Sequence, residues 1–250
     1  MEHLKVVEKQ LVTPGTLLTD VTDVYKPGRG TIRSAEGIVS VFVGLVQLRK
    51  QFVNVVPLNG IYTPSVGDTV IGRVVERTVV KWIIDINSGY KGILRPQNAI
   101  DRGRDRGGRT GGRSRGPSRP RLSPEEEMTY FNLGDIVAAK IISFSRTSEP
   151  DLTTIGKGLG RLNGGIVITV PAPKVPRIIG RRGSMIKLLK DEIGCTISVA
   201  QNGRIWIRGK NREDELLAIR TIQKIDREAH TSGLTDRVKE YILEQRGGRD

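Results

Sequence analysis

Arg177-Ile178-Ile179-Gly180-Arg181-Arg182-Gly183-Ser184-Met185-Ile186 is the stretch on which the reading of this chain turns. Two glycines bracket two arginines, and apolar residues resume at helical spacing directly after the second glycine. Met185, Ile186, Leu188, Leu189 and Ile193 share one helix face, Lys187 and Lys190 lie on the solvated one, and Gly194 ends the helix. Upstream, residues 166–170 read as a strand, and Pro173 and Pro176 suit the first turn of a short helix, where a missing N–H costs nothing. Downstream, Cys195, Ile197 and Val199 alternate with polar residues, Asn202-Gly203 supplies a tight turn, and Ile205 and Ile207 alternate with Arg204, Trp206 and Arg208. Asn211 caps a further helix whose apolar stripe is Leu216, Ile219, Ile222 and Ile225. The order is strand, helix, loop, helix, hairpin, helix.

That order with this loop resembles the KH domain, whose G-x-x-G loop clamps about four nucleotides of single-stranded RNA backbone. The chemistry of the loop supports the resemblance. Glycine lacks a Cβ and lets the peptide approach a sugar-phosphate closely, and a loop that opens a helix presents free N–H groups where the dipole favours anions. The resemblance implies that Gly180, Arg181, Arg182 and Gly183 bind RNA, with Arg177 and Lys187 beside them and the bases in the apolar groove between helix and hairpin.

Composition points the same way. The 250 residues carry 41 Lys+Arg against 27 Asp+Glu, a net charge of +14, which attracts phosphate polyanions. No apolar run of 18 or more residues offers a membrane span, and residues 1–10 lack the apolar core of a signal peptide, so the expected location is cytoplasmic, with no membrane partner. A single cysteine, Cys195, excludes an intrachain disulfide and a cysteine-based metal site, and reads as a small core residue. With only two histidines, His3 and His230, histidine acid-base chemistry has almost no raw material. The expectation is a protein that is not an enzyme and carries no cofactor, metal or catalytic residue.

Residues 1–65 read as short strands broken by turns, a small β domain. From Val66 to Asn87 further strands follow, and strand-like sequence resumes at Asp135-Ile136-Val137 after Leu133-Gly134, as two halves of one barrel would. Between them, residues 101–121 hold eight Arg, two Asp and six Gly without one apolar side chain, a charge of +6 on a stretch expected to be disordered. Glu125-Glu126-Glu127 beside Pro124 reads as a helix start rather than a metal site. Gly156-Lys157-Gly158-Leu159-Gly160 misses the phosphate-loop pattern and reads as a linker.

Gly67-Asp68-Thr69-Val70-Ile71-Gly72-Arg73-Val74, Asp85 and Gly89-Tyr90-Lys91-Gly92-Ile93-Leu94 resemble the ribosomal S-one type of OB fold, which binds single strands with a basic groove and aromatic platforms. Here Val80, Ile83 and Arg95 stand where members of that family often place aromatics and a histidine, and Trp82 reads as a barrel or interface residue. With eleven aromatics in the whole chain, phosphate contacts from Arg73, Lys81, Lys91 and Arg95 are expected to outweigh stacking.

Taken with Pro14-Gly15, Gly28-Arg29-Gly30-Thr31 and Val56-Pro57-Leu58-Asn59-Gly60, the stretches Tyr62-Thr63-Pro64-Ser65-Val66-Gly67-Asp68 and Trp82-Ile83-Ile84-Asp85-Ile86-Asn87-Ser88-Gly89-Tyr90 resemble the RNA-binding cap subunits of the archaeal exosome over almost the whole chain. The fold this implies is multidomain: an all-β N-terminal domain at 1–65 for docking, an OB-type β-barrel at 66–155 around the insert, an α+β KH domain at 156–235, and a C-terminal helix and tail at 236–250. The resemblance further implies a non-catalytic subunit that recruits single-stranded RNA for 3′-to-5′ degradation. Its partners would be a hexameric ring of phosphorolytic exosome subunits and a trimeric cap, in which another cap subunit can be mixed. The rival reading is a transcription elongation or termination factor, where an OB barrel precedes two KH units; residues 231–250 hold one amphipathic helix and leave no room for a second unit. A polynucleotide phosphorylase would need a catalytic core ahead of its KH and barrel modules, in the reverse order.

Overall fold

The computed structural model describes residues 4–58, 60–100, 128–145, 147–228 and 233–247. The arginine-glycine insert, Glu125 to Glu127, Asn59, His3 and His230 lie outside the described residues. The chain divides into two compact units, residues 1–61 with 171–173, and residues 62–170 with 174–250.

The first unit is built of short strands: β1 (Leu11–Val12), β2 (Leu17–Thr19), β3 (Lys26–Pro27), β4 (Thr31–Ser34), β5 (Gly37–Ser40), β6 (Gly44–Arg49) and β7 (Phe52–Pro57). They form two sheets, ordered β1-β6-β7-β3 and β2-β5-β4. Alternation along β6 and β7 sends Val46, Val53 and Val55 into a core with Val6, Val12, Leu18 and Ile38. The opposite parity leaves Leu11, Leu45 and Val56, which are cross-strand partners in one row, turned outward and exposed. Gly37 has φ 135°, and a Cβ there would stand 2.2 Å from the Thr19 carbonyl oxygen, so no other residue fits between β2 and β5.

The second unit opens with the expected barrel. Strands β8 (Thr69–Arg77), β9 (Trp82–Asp85), β10 (Lys91–Leu94), β11 (Ile136–Ser145) and β12 (Ser148–Thr153) close on one another in the order β8-β9-β10-β12-β11, with β10 and β12 parallel and the other pairs antiparallel. Helix α1 (Pro96–Ala99) follows β10. Val70, Val74, Trp82, Ile84, Leu94, Val137, Ile141 and Leu152 are buried. The glycine-rich stretch expected to be a linker runs as turns from Gly156 to Leu159 and then joins the barrel sheet at Gly160. Gly160–Arg161 adds a sixth strand, β13, to β11, and Leu159 and Leu162 pack beside it, because each leucine gains burial that a free linker would forgo.

The KH-like elements follow: β14 (Ile166–Thr169), α2 (Val175–Ile179), α3 (Ser184–Ile193), β15 (Thr196–Val199), β16 (Arg204–Arg208), α4 (Arg212–Arg227) and α5 (Leu234–Gly247). The sheet order is β14-β16-β15, all antiparallel. Asn211 caps α4 by accepting from the Asp214 N–H at 2.8 Å. The buried stripe of α4 is Leu217, Ala218, Thr221, Ile222 and Ile225, so Leu216, expected inside, turns out to solvent. Helix α5 shares this core through Leu234, Val238 and Ile242, and Arg246 donates to the last carbonyl of α3, Ile193 O, at 3.1 Å. Burial pushes the Cys195 thiol up to about 11, with Asp214 and Glu215 adding to it, so it stays protonated at neutral pH. Among the described residues no helix is long and apolar enough to cross a membrane.

Candidate nucleic-acid interface

Between α2 and α3 the chain turns through Gly180 to Gly183. Gly180 adopts φ 77° and ψ 172°, Arg182 φ 54° and Gly183 φ 79°, so the loop is left-handed at three of its four residues. A Cβ on Gly180 would lie 2.7 Å from both the Cβ and the backbone nitrogen of Met185, whereas one on Gly183 would meet only Ile186 at 3.8 Å. The two glycines therefore serve different needs: the first a close approach, the second a backbone angle. No side chain caps α3; the Gly183 N–H donates to Gly180 O at 3.2 Å and the Ser184 N–H to Arg181 O, so the loop closes on its own main chain and leaves the helix's positive dipole end beside Arg181 and Arg182. Arg177, Arg181, Arg182 and Lys187 are all exposed, and among the described residues none of them forms an ion pair. The loop thus gathers uncommitted positive charge at a helix start, an arrangement suited to a phosphodiester.

The four barrel cations do not form one patch. Lys81 and Lys91 meet in an open groove of about 400 Å³ on the outer face, floored by Val75, Ile83 and Ile93 and edged by Glu76 and Glu149. Arg95 is held by the Asp151 carboxylate. Arg73, exposed on β8, stands directly across from Asp85 on β9, and Lys91 on β10 stands across from Asp85 on the other side. Trp82 is fully buried, its Nε1 donates to Phe131 O at 3.1 Å, and its ring meets Phe131 edge to face at 5.5 Å; it is an interior anchor and offers no face to a base.

The most informative residue is one that the sequence presents only as turn chemistry. Asn202, in the β15–β16 turn, is fully buried because the turn enters the barrel where β8 and β9 part. Its Nδ2 donates to Ile71 O and to Ile86 O, both at 2.8 Å; its Oδ1 accepts from Ile71 N at 3.3 Å; its own carbonyl accepts from Asn87 Nδ2 at 3.1 Å. Next to it, Gln201 N donates to Thr69 O at 3.0 Å, and Gln201 Oε1 accepts from Thr69 N at 2.9 Å. Ile71, Ala138, Ala200 and Trp206 form an apolar cluster beneath these bonds. Arg204 completes the seam by donating to Asp85 O at 2.6 Å and to its carboxylate. Burial tends to raise the Asp85 pKa, but the hydrogen bonds from Arg204 and Asn87 N and the charges of Arg204 and Lys91 outweigh it and hold the carboxyl below its ordinary 3.8. Barrel and KH region are thereby joined through main-chain polar groups, so the clamp and the barrel face are carried on one body.

Comparison with known proteins adds identity to this geometry. A KH domain model matches residues 165–224, and a model described as RRP4, S1 domain matches residues 61–106. The exosome complex component Rrp4 of Thermococcus kodakarensis is 42% identical over 246 residues, covering 97% of this chain and 88% of that protein. That of Methanothermus fervidus is 40% identical over 240 residues, covering 96% and 98%. A crystal structure of a protein provisionally described as an exosome complex RNA-binding protein aligns with a TM-score of 0.61 at 37% identity, over 76% of this chain and 100% of that one.

Proposed function

Because the chain belongs to the Rrp4 family of exosome components, we propose that it is a non-catalytic, RNA-binding cap subunit of an exosome. The observation that carries this reading is the pairing of a G-x-x-G loop, whose exposed arginines form no ion pair among the described residues, with an OB barrel on one body, a design for holding a strand rather than cutting it. Gly180, Arg181, Arg182 and Gly183, with Arg177 and Lys187, grip the RNA backbone; Arg73, Lys81, Lys91 and Arg95 meet phosphates on the barrel.

In this reading three such caps, alone or mixed with another cap subunit, sit on a hexameric phosphorolytic ring and lead a 3′ end inward in the cytoplasm. The N-terminal β domain docks on the ring. Its outward row of Leu11, Leu45 and Val56 supplies an apolar surface of the kind that protein interfaces bury.

Reconstitution tests the proposal. Adding the chain to a purified archaeal phosphorolytic ring should increase RNA capture and phosphorolysis of long single strands, while the chain alone with phosphate should leave RNA intact. Phosphate-dependent degradation by the chain alone, or failure to associate with the ring, would refute it.

A further inference from the structure

Asp85 lies at the centre of a row that runs across three strands of the barrel. Its neighbours in register are Arg73 on β8 and Lys91 on β10, and side chains at paired positions of adjacent strands share a face. Two inter-strand steps place the Arg73 and Lys91 backbones about 10 Å apart, a span that two long side chains can bridge around one phosphodiester. On its own, a carboxylate between two such cations would neutralise one of them and repel a phosphate. Here that carboxylate is already engaged, because Arg204 enters from the KH hairpin and binds both the Asp85 carbonyl and its carboxylate. Arg73, Lys91 and Arg204 against Asp85 and Glu149, whose carboxylate accepts from the Lys91 main-chain N–H at 2.6 Å, leave a surplus of one positive charge at the place where the KH turn meets the barrel.

We propose that the seam between barrel and KH region is a phosphodiester-binding site in its own right: Arg73 and Lys91 hold the RNA backbone over Asp85, and Arg204 is the positioning residue that keeps Asp85 from repelling it. The proposal rests on the RNA-binding reading and extends it. The clamp and the barrel face then hold one strand in a fixed register, since the seam that joins them is itself a point of contact. Asn202 and Gln201 keep that register rigid by binding Thr69, Ile71 and Ile86 main-chain groups two to four residues from Arg73 and beside Asp85.

Two oligouridylates separate the outcomes: one of about four nucleotides, the span of a KH clamp, and one of about twelve, long enough to reach an OB surface as well. In the full chain, Arg73→Ala and Lys91→Ala should each lower the salt-dependence slope of the longer oligonucleotide by about 0.7, the share of one phosphate on a single strand, and leave the shorter one unchanged. Asp85→Asn should tighten the longer oligonucleotide. Arg204→Ala should weaken it, and Arg204→Ala with Asp85→Asn should restore it, a rescue that a purely structural role for Arg204 would not give. Thermal melts accompany each variant; Arg73 and Lys91 are exposed, so their variants report even if the Asp85 or Arg204 variants fail to fold. If the shorter oligonucleotide binds while Arg73→Ala and Lys91→Ala leave the slope of the longer one unchanged, the seam site is overturned and the RNA-binding reading stands. If the unaltered chain binds neither oligonucleotide, both fall.

Discussion

Asn202 pairs with Ile71 as one strand pairs with another, its Oδ1 accepting from the Ile71 N–H at 3.3 Å and its Nδ2 donating to the Ile71 carbonyl at 2.8 Å. A side chain thus completes a ladder that β9 abandons after Asp85, where β8 still presents Thr69 and Ile71. Buried main-chain groups require partners, and no apolar residue at position 202 could supply them.

Asn202→Ala should therefore cost more than a typical surface change. It leaves Ile71 N, Ile71 O and Ile86 O without these partners, and each unsatisfied buried group costs roughly 1–3 kcal/mol unless water enters. A loss of about 3 kcal/mol or more in urea unfolding is expected, with the barrel and the KH region ceasing to unfold together. A loss under about 0.5 kcal/mol, the range of ordinary surface substitutions, would show that the apolar cluster alone holds the seam.

The glycines of the clamp should not respond alike. At Gly180 a methyl group meets the Met185 backbone nitrogen at 2.7 Å, which cannot move without disturbing the first turn of α3. Gly180→Ala should cost about 1–3 kcal/mol and weaken RNA binding. Gly183 has a left-handed backbone and open space, so Gly183→Asn, which tolerates that conformation, should change stability by well under 1 kcal/mol. Thermal melts of the two variants side by side check this; equal losses would contradict it.

These contrasts mark how far the residues could be read in advance. The KH order, the Asn211 cap and the α3 face follow from local periodicity, and the structure has them. The halves of the barrel were recognisable from Asp68 and Asp135 before their strands because that turn chemistry is also local. What escaped is long-range. Asn202-Gly203 has the same composition whether the turn is solvated or buried 131 residues away from its partner Ile71, and Leu159 looks like a linker residue until β11 provides a surface. Leu216 and Leu217 are adjacent, and only the rotation of α4 against its sheet decides which is buried. On the barrel face, Arg95 reads as a free cation because the carboxylate that meets it, Asp151, lies more than fifty positions away in the chain.

Arg181→Asp combined with Arg182→Asp should weaken RNA binding strongly while leaving the melting temperature near that of the unaltered chain, because both side chains are exposed and unpaired. Fluorescence anisotropy at moderate salt checks the affinity. Unchanged binding would remove the loop from the RNA site. Deleting residues 101–121, with a charge of +6, should flatten the salt dependence of binding if the insert contacts RNA.

Trp82→Phe tests whether the barrel tryptophan serves RNA or the fold. Phenylalanine keeps an aromatic edge for Phe131 but loses the bond from Nε1 to Phe131 O, so about 1 kcal/mol of stability should go while RNA affinity stays the same. A drop in affinity with an unchanged melt would reverse that assignment.

The Arg204–Asp85 contact should fail in acid and in no other direction. Because the folded-state pKa of Asp85 is depressed, its ionised form is favoured by folding, and that stability is fully present above the ordinary value of 3.8. It is lost as pH falls through the folded-state pKa, when the carboxylate takes a proton and Arg204 loses its partner. Unfolding titrations between about pH 5 and pH 2 should therefore fall more steeply for the unaltered chain than for Asp85→Asn, whose contact with Arg204 does not titrate. The difference between the two should vanish at high salt more slowly than a surface pair would, since Arg204 is only 15% exposed and binds the Asp85 carbonyl as well. Parallel curves for the two proteins would mean that Asp85 ionises no more readily in the folded chain than in the unfolded one, and that Arg204 is held by the carbonyl alone.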